Sequence, residues 1–125
     1  MTRINVKLDD IPDTAFELFP DATYLVTIQS SSKLKKSEEG AYIMVIAKCD
    51  EGDMEGKLIG WNCSLLPQAL WNLKNMLLAM GMEWDEDGFE LEDIFDEQIM
   101  IDVSSREYPE KSGEYRNQVD SYHSA

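Results

Sequence analysis

Hydrophobic and polar positions change period along this chain, and each change marks an element. Residues 24–29 alternate Tyr24, Val26 and Ile28 against Leu25, Thr27 and Gln29, with many β-branched and aromatic side chains. A period of two is that of a strand with one buried face, so this is the first predicted strand. Residues 30–40 are serines, lysines and glutamates broken only by Leu34 and ended by Gly40, and they read as a polar loop. Residues 41–49 are almost continuously apolar and stop at Asp50-Glu51-Gly52-Asp53, giving a second strand. Residues 57–63 give a third, in which Gly60 marks a bulge or a close approach of another backbone.

From Leu66 the period lengthens. Leu66, Leu70, Leu73, Leu77 and Met80 recur at spacings of four, three, four and three, which is one face of an α-helix. Pro67 suits a first helical turn and Gly81 a left-handed cap, so the spacing predicts a helix over residues 67–80 that buries those side chains. Residues 83–97 form an acidic connector with a short turn at 91–95. Residues 98–104 then alternate Ile99, Ile101 and Val103 against Met100, Asp102 and Ser104, a fourth strand. Residues 108–113 are turn-rich, and residues 114–122 make a fifth strand. Residues 1–21 mix turn formers and acids with isolated Ile11, Phe16, Leu18 and Phe19, and read as an N-terminal arm on a domain spanning residues 22–125.

The resulting class is mostly β with one main helix, in the order β-β-β-α-β-β. That order is the order of a five-stranded Greek-key barrel of the OB type, and it is also compatible with an SH3-like barrel or a small α+β sandwich. OB barrels bind oligonucleotides on the face of their second and third strands and on the loops joining strands one to two and four to five.

Composition narrows this further. A chain of 125 residues with 43% hydrophobic and 10% aromatic side chains can bury one core, which excludes disorder throughout. Its apolar stretches are interrupted well short of the roughly 20 residues of a membrane span. No apolar run follows the first basic residue, so no secretory signal is visible and a cytoplasmic protein is expected. Cys49 and Cys63 have no CxxC partner and no neighbouring cation, and read as two buried thiols. His123 has no second imidazole, which removes a tetrahedral zinc site.

Charge is the unusual feature. Eleven Lys and Arg against 25 Asp and Glu give a net charge of −14, which excludes a generic basic nucleic-acid coat protein. The acidity is concentrated: residues 49–97 hold two cations and thirteen acids, whereas residues 22–48 hold four cations and two acids. No Walker, dinucleotide-binding or nucleophile-elbow pattern occurs, and no histidine stands beside a Ser or Cys nucleophile. The acidic clusters do not follow EF-hand spacing and read as solvated loops. Neither a catalytic residue nor a cofactor or metal is predicted.

What the pattern does offer is single-strand binding chemistry. Lys33, Lys35 and Lys36 supply phosphate contacts from the first loop, with Lys48 at the end of the second strand. Tyr42 and Trp61, on the second and third strands, are candidate stacking platforms. Tyr108 and Tyr115 flank the last loop in the company of Arg106, Lys111 and Arg116. Trp71 and Trp84 are assigned to packing, Trp84 because the acids around it repel phosphate.

Several segments also resemble a known family. They are Tyr24-Leu25-Val26-Thr27-Ile28, the turn Lys35-Lys36-Ser37-Glu38-Glu39-Gly40, the helix Ala69-Leu70-Trp71-Asn72-Leu73-Lys74 ending Leu78-Ala79-Met80-Gly81, and the closing Gly113-Glu114-Tyr115-Arg116-Asn117-Gln118-Val119. Together, from about Asp21 to Tyr122, the chain resembles small bacteriophage proteins of formally unknown function that are taken to be OB-fold single-stranded DNA-binding proteins. The resemblance implies single-stranded DNA as ligand, phage replication or recombination proteins as partners, the host cytoplasm as location, and is compatible with a homo-oligomer. The chain departs from many single-strand binders in ending on residues 120–125 without an acidic tail, and in its acidic middle. That middle supports an alternative of another class, an acidic interaction module or DNA mimic that occupies the basic groove of a nucleic-acid enzyme.

Overall fold

Alternation becomes strand wherever one side can be buried. The computed structural model describes residues 1–5, 18–107, 111 and 113–125. Among them six strands form one antiparallel sheet: β1 (Ala22–Ile28), β2 (Lys33–Ser37), β3 (Gly40–Cys49), β4 (Leu58–Ser64), β5 (Gln98–Glu107) and β6 (Tyr115–Ser124). Helix α1 (Leu70–Ala79) follows a 3₁₀ turn at Pro67–Ala69, and a second 3₁₀ turn spans Leu91–Ile94. The described residues are mostly β with one α-helix.

The sixth strand, β2, comes from the segment that reads as a loop. Its five residues are all exposed, so neither face carries an apolar alternation that the sequence could display. It exists because the chain turns back at Gly40 and pairs Lys33 with Met44 and Lys36 with Ala41. β1 and β2 share one edge of β3, β1 pairing with Ala47–Cys49 and β2 with the start of that strand. Between them Ser32, which is buried, stands in for a ladder residue: its Oγ accepts from the Ile46 N–H at 2.9 Å and donates to the Ile46 carbonyl at 3.3 Å. β4 runs along the other edge of β3, from Tyr42↔Ser64 to Lys48↔Leu58. β5 pairs with β1, and β6 with β5.

Five strands closed into a barrel are thus replaced by six in an open sheet. Among the described residues no ladder joins β4 to β6. Side chains bridge them instead, the rings of Trp61 and Tyr122 lying 6.3 Å apart at 44°.

The core is the inward face of these strands, with Val26, Ile28, Val45, Ala47, Ile99 and Ile101 all fully buried. α1 adds Leu73, Met76 and Leu77. Here the predicted stripe needs correction: Leu70 is 42% exposed, and Met76 takes its place. The 3₁₀ turn ahead of α1 advances by three residues per turn, so Leu66 and Leu70 are out of phase with the buried face. Leu66 instead covers Gly40, where a Cβ would come within 2.6 Å of its Cδ2. The helix ends as expected, with Gly81 at φ 72°, its N–H on Leu78 O and the Met82 N–H on Leu77 O at 3.0 Å, a Schellman closure.

The last residues of the expected arm join the same core. Phe19 is fully buried, packs edge-on against Tyr24 at 5.0 Å, and has both backbone groups held by the Asn117 side chain at 2.7 and 2.9 Å. Ile11 and Phe16 lie outside the described residues. Both cysteines are buried and free. Cys63 sits opposite Ile43, while Cys49 lies past the other end of that ladder, so the pairing itself keeps the thiols apart.

Candidate nucleic-acid interface

Strand geometry distributes the predicted cations before any ligand can. Because successive side chains of β2 point to opposite faces, Lys33 and Lys35 share a face while Lys36 sits on the other with Leu34. The first loop therefore offers two lysines, rather than three, to one surface. Across the ladders these two head rows of neighbours, Lys35–Tyr42–Ser64 and Lys33–Met44–Asn62. Lys48 is exposed on the same face but lies at the far end of β3, opposite Leu58 and Thr27.

The open edge supplies the second part of the site. Between β4 and β6 lies a cleft of about 480 Å³, walled by Met44, Trp61 and Asn62 on one side and by Tyr115, Arg116 and Gln118 on the other. Met44 is the cross-strand neighbour of Lys33, so β6 carries Tyr115 and Arg116 to the border of the lysine rows. No carboxylate is among the described residues lining this cleft. Tyr115 is 56% exposed. Arg116 stands directly opposite Arg106 on β5, whose guanidinium donates to Gln118 Oε1 at 3.3 Å. Lys111 is exposed in the β5–β6 turn with φ 66°. Tyr108 lies outside the described residues.

Trp61 is placed differently from expectation. It pairs with Val45 on the core side of the sheet and is only 8% exposed, so it has no open ring face on which a base could stack. Tyr42, half-buried on the outer face between Lys35 and Ser64, and Tyr115 retain that capacity. Sequence reading missed Met44, Asn62 and Gln118. The signal was present for the first two, which lie at even spacing from Tyr42 and Ser64 along their strands, but only the pairing register shows that they are neighbours.

The acidic cluster of residues 83–93 is housed elsewhere, while Glu38 and Glu39 make the β2–β3 turn. Glu83, Asp85, Asp87, Glu90 and Asp93 surround a separate hollow of about 450 Å³ with Trp84, which is 41% exposed. Asp102 accepts from Ser121, Thr23 and His123, the last at 2.6 Å, and these hydrogen bonds hold its carboxyl far below the usual carboxylate range. Burial pushes the Cys63 thiol up, and burial with the Cys63 thiol beside it pushes the Tyr122 hydroxyl up, so both stay neutral at physiological pH. Among the described residues no three His, Cys, Asp or Glu side chains converge as a metal site. None of the described helices is long and apolar enough to cross a membrane. Compared with known proteins, the chain matches no protein-family model and no curated protein.

Proposed function

We propose that the chain is a non-enzymatic, sequence-tolerant single-stranded DNA-binding protein built on an OB-type barrel that is open along one seam. Taken as one bent strand, β1 and β2 form the first strand, β3 to β6 the other four, and α1 falls between the third and fourth as in OB barrels. The ligand surface of that fold is then the outer face of β3 and β4 with the β2–β3 and β5–β6 turns. The observation that carries the reading is the composition of that surface. In a chain of net charge −14, the rows through Lys33 and Lys35 meet a cleft that has Tyr115 and Arg116 and, among the described residues, no carboxylate in its lining. Cations beside exposed aromatics are what a flexible phosphate backbone with stackable bases requires. Acidity concentrated elsewhere disfavours stiff, highly charged duplex and makes binding strongly salt-dependent. A place in phage replication or recombination follows from the sequence resemblance.

Titration of labelled oligo-dT by fluorescence anisotropy at low and high salt tests this directly. Binding that weakens steeply as salt rises is expected, and no binding at low salt overturns the reading. The hollow of carboxylates around Trp84 favours a second reading, a DNA mimic, for which oligo-dT binding is absent and a basic DNA-binding enzyme is bound instead.

A further inference from the structure

The seam between β4 and β6 contains a donor with nothing to donate to. The Trp61 Nε1–H is buried and has no hydrogen-bond partner, in a ring that is itself more than nine-tenths buried and forms part of the cleft wall. Cys63 and Tyr122 lie near enough to the indole N–H for it to favour their ionised forms, but neither is placed with the geometry of a hydrogen bond to it. Their own contacts are loose, 3.8 Å from Cys63 Sγ to the Tyr122 hydroxyl and 3.6 Å from Asn72 Nδ2 to Cys63 Sγ. Unpaired buried N–H groups are rare in folded proteins because each forfeits its bond to water. Asn62, exposed on the outer face of β4, lines the rim of the same cleft.

We propose that this cleft takes one unstacked nucleobase of the bound single strand, an inference that rests on the DNA-binding reading above. Every base presents acceptors along its edge and two π faces, and is flanked by phosphates. The cleft offers the matching set: the Trp61 N–H for the edge, the exposed Tyr115 ring for a face, and the Asn62 amide and Arg116 guanidinium at the rim. Its volume of about 480 Å³ falls within the range of small-ligand clefts, roughly 300–1,000 Å³. A cationic ligand would find no carboxylate among the described residues of the lining. Reaching Nε1 requires β6 to shift away from β4, and because no ladder joins these strands the shift breaks no backbone hydrogen bond between them. Trp61 thus acts as a hydrogen-bond donor to an inserted base rather than as a stacking platform.

The test compares two ligands of equal charge, an oligo-dT of about twelve nucleotides and the same backbone carrying abasic sites. Both are titrated into the ¹⁵N-labelled native chain at low salt. The Trp61 indole N–H resonance is assigned by elimination from Trp71→Phe and Trp84→Phe, both at exposed positions. We expect oligo-dT to bind at least about tenfold more tightly than the abasic strand, the scale of one well-held base. The Trp61 resonance should shift with oligo-dT and stay in place with the abasic strand. Equal affinities, or an unmoved resonance while oligo-dT binds, overturn the base pocket and leave the DNA-binding reading standing. Binding of neither ligand overturns both.

Discussion

Asp102 shows how much a single half-buried side chain can organise on a strand. Its carboxylate ties β1 to β5 through Thr23 and β5 to β6 through Ser121 and His123. Because the folded state lowers its pKa, the stabilisation is fully present above the unfolded value of about 3.9 and is lost as pH falls from there towards the lower folded value. Asp102→Asn should therefore be less stable than the parent at neutral pH, with the difference closing below about pH 4. Denaturant melts at pH 7 and pH 3 check the sign. At the same scale, Lys33 and Tyr115 should fail in different ways on DNA. Lys33→Ala with Lys35→Ala should flatten the slope of log K against log salt by about 0.7 per lost phosphate contact. Tyr115→Ala should weaken binding by about 1–3 kcal/mol with the slope unchanged, since stacking releases no counterions. Lys36→Ala, on the other face of β2, should change the slope least. One titration series over several salt concentrations separates the three.

For the helix, the decisive quantity is phase. Leu73 and Leu77 are buried and Leu70 is not, although all three fit one stripe by spacing. Leu73→Ala should cost roughly 2–5 kcal/mol as a large-to-small change in the core. Leu70→Ala should stay within about 0.5 kcal/mol, as for an exposed position. Equal losses in urea melts would return Leu70 to the buried face and place the start of α1 one turn earlier. β2 makes the complementary point: a strand held only by its ladder to β3 carries no hydrophobic signature, and its lysines also guard its free edge against pairing with another chain.

Over the whole molecule, two features of the sheet set what the surface can do. The ladder Tyr42↔Ser64 to Lys48↔Leu58 holds Cys49 and Cys63 towards opposite ends, so thiol titration of the denatured, unreduced protein should find two free thiols. Finding none in a monomer would contradict that register. The seam left between β4 and β6 decides the site, because it collects residues from both faces of both strands into one cleft. The carboxylates of residues 83–93 line a separate hollow.

Local periodicity by itself determined the inward alternation of Val26, Ile28, Ile99, Ile101 and Val103, and the helix with its Gly81 closure. Each of these is a repeat or a turn within a few residues, and burial of one face enforces it wherever the strand finally sits. Tertiary pairing decided the rest. The polar run from Lys33 became a strand because Met44, Ile43 and Tyr42 were there to accept it. Trp61 turned inward because its partner Val45 faces the core. Tyr115 and Arg116, more than fifty residues along the chain, reached β4 only through the curl of β5 and β6. Long-range register and strand-edge contact depend on which segments meet in space, and no local pattern of hydrophobic and polar residues carries that information.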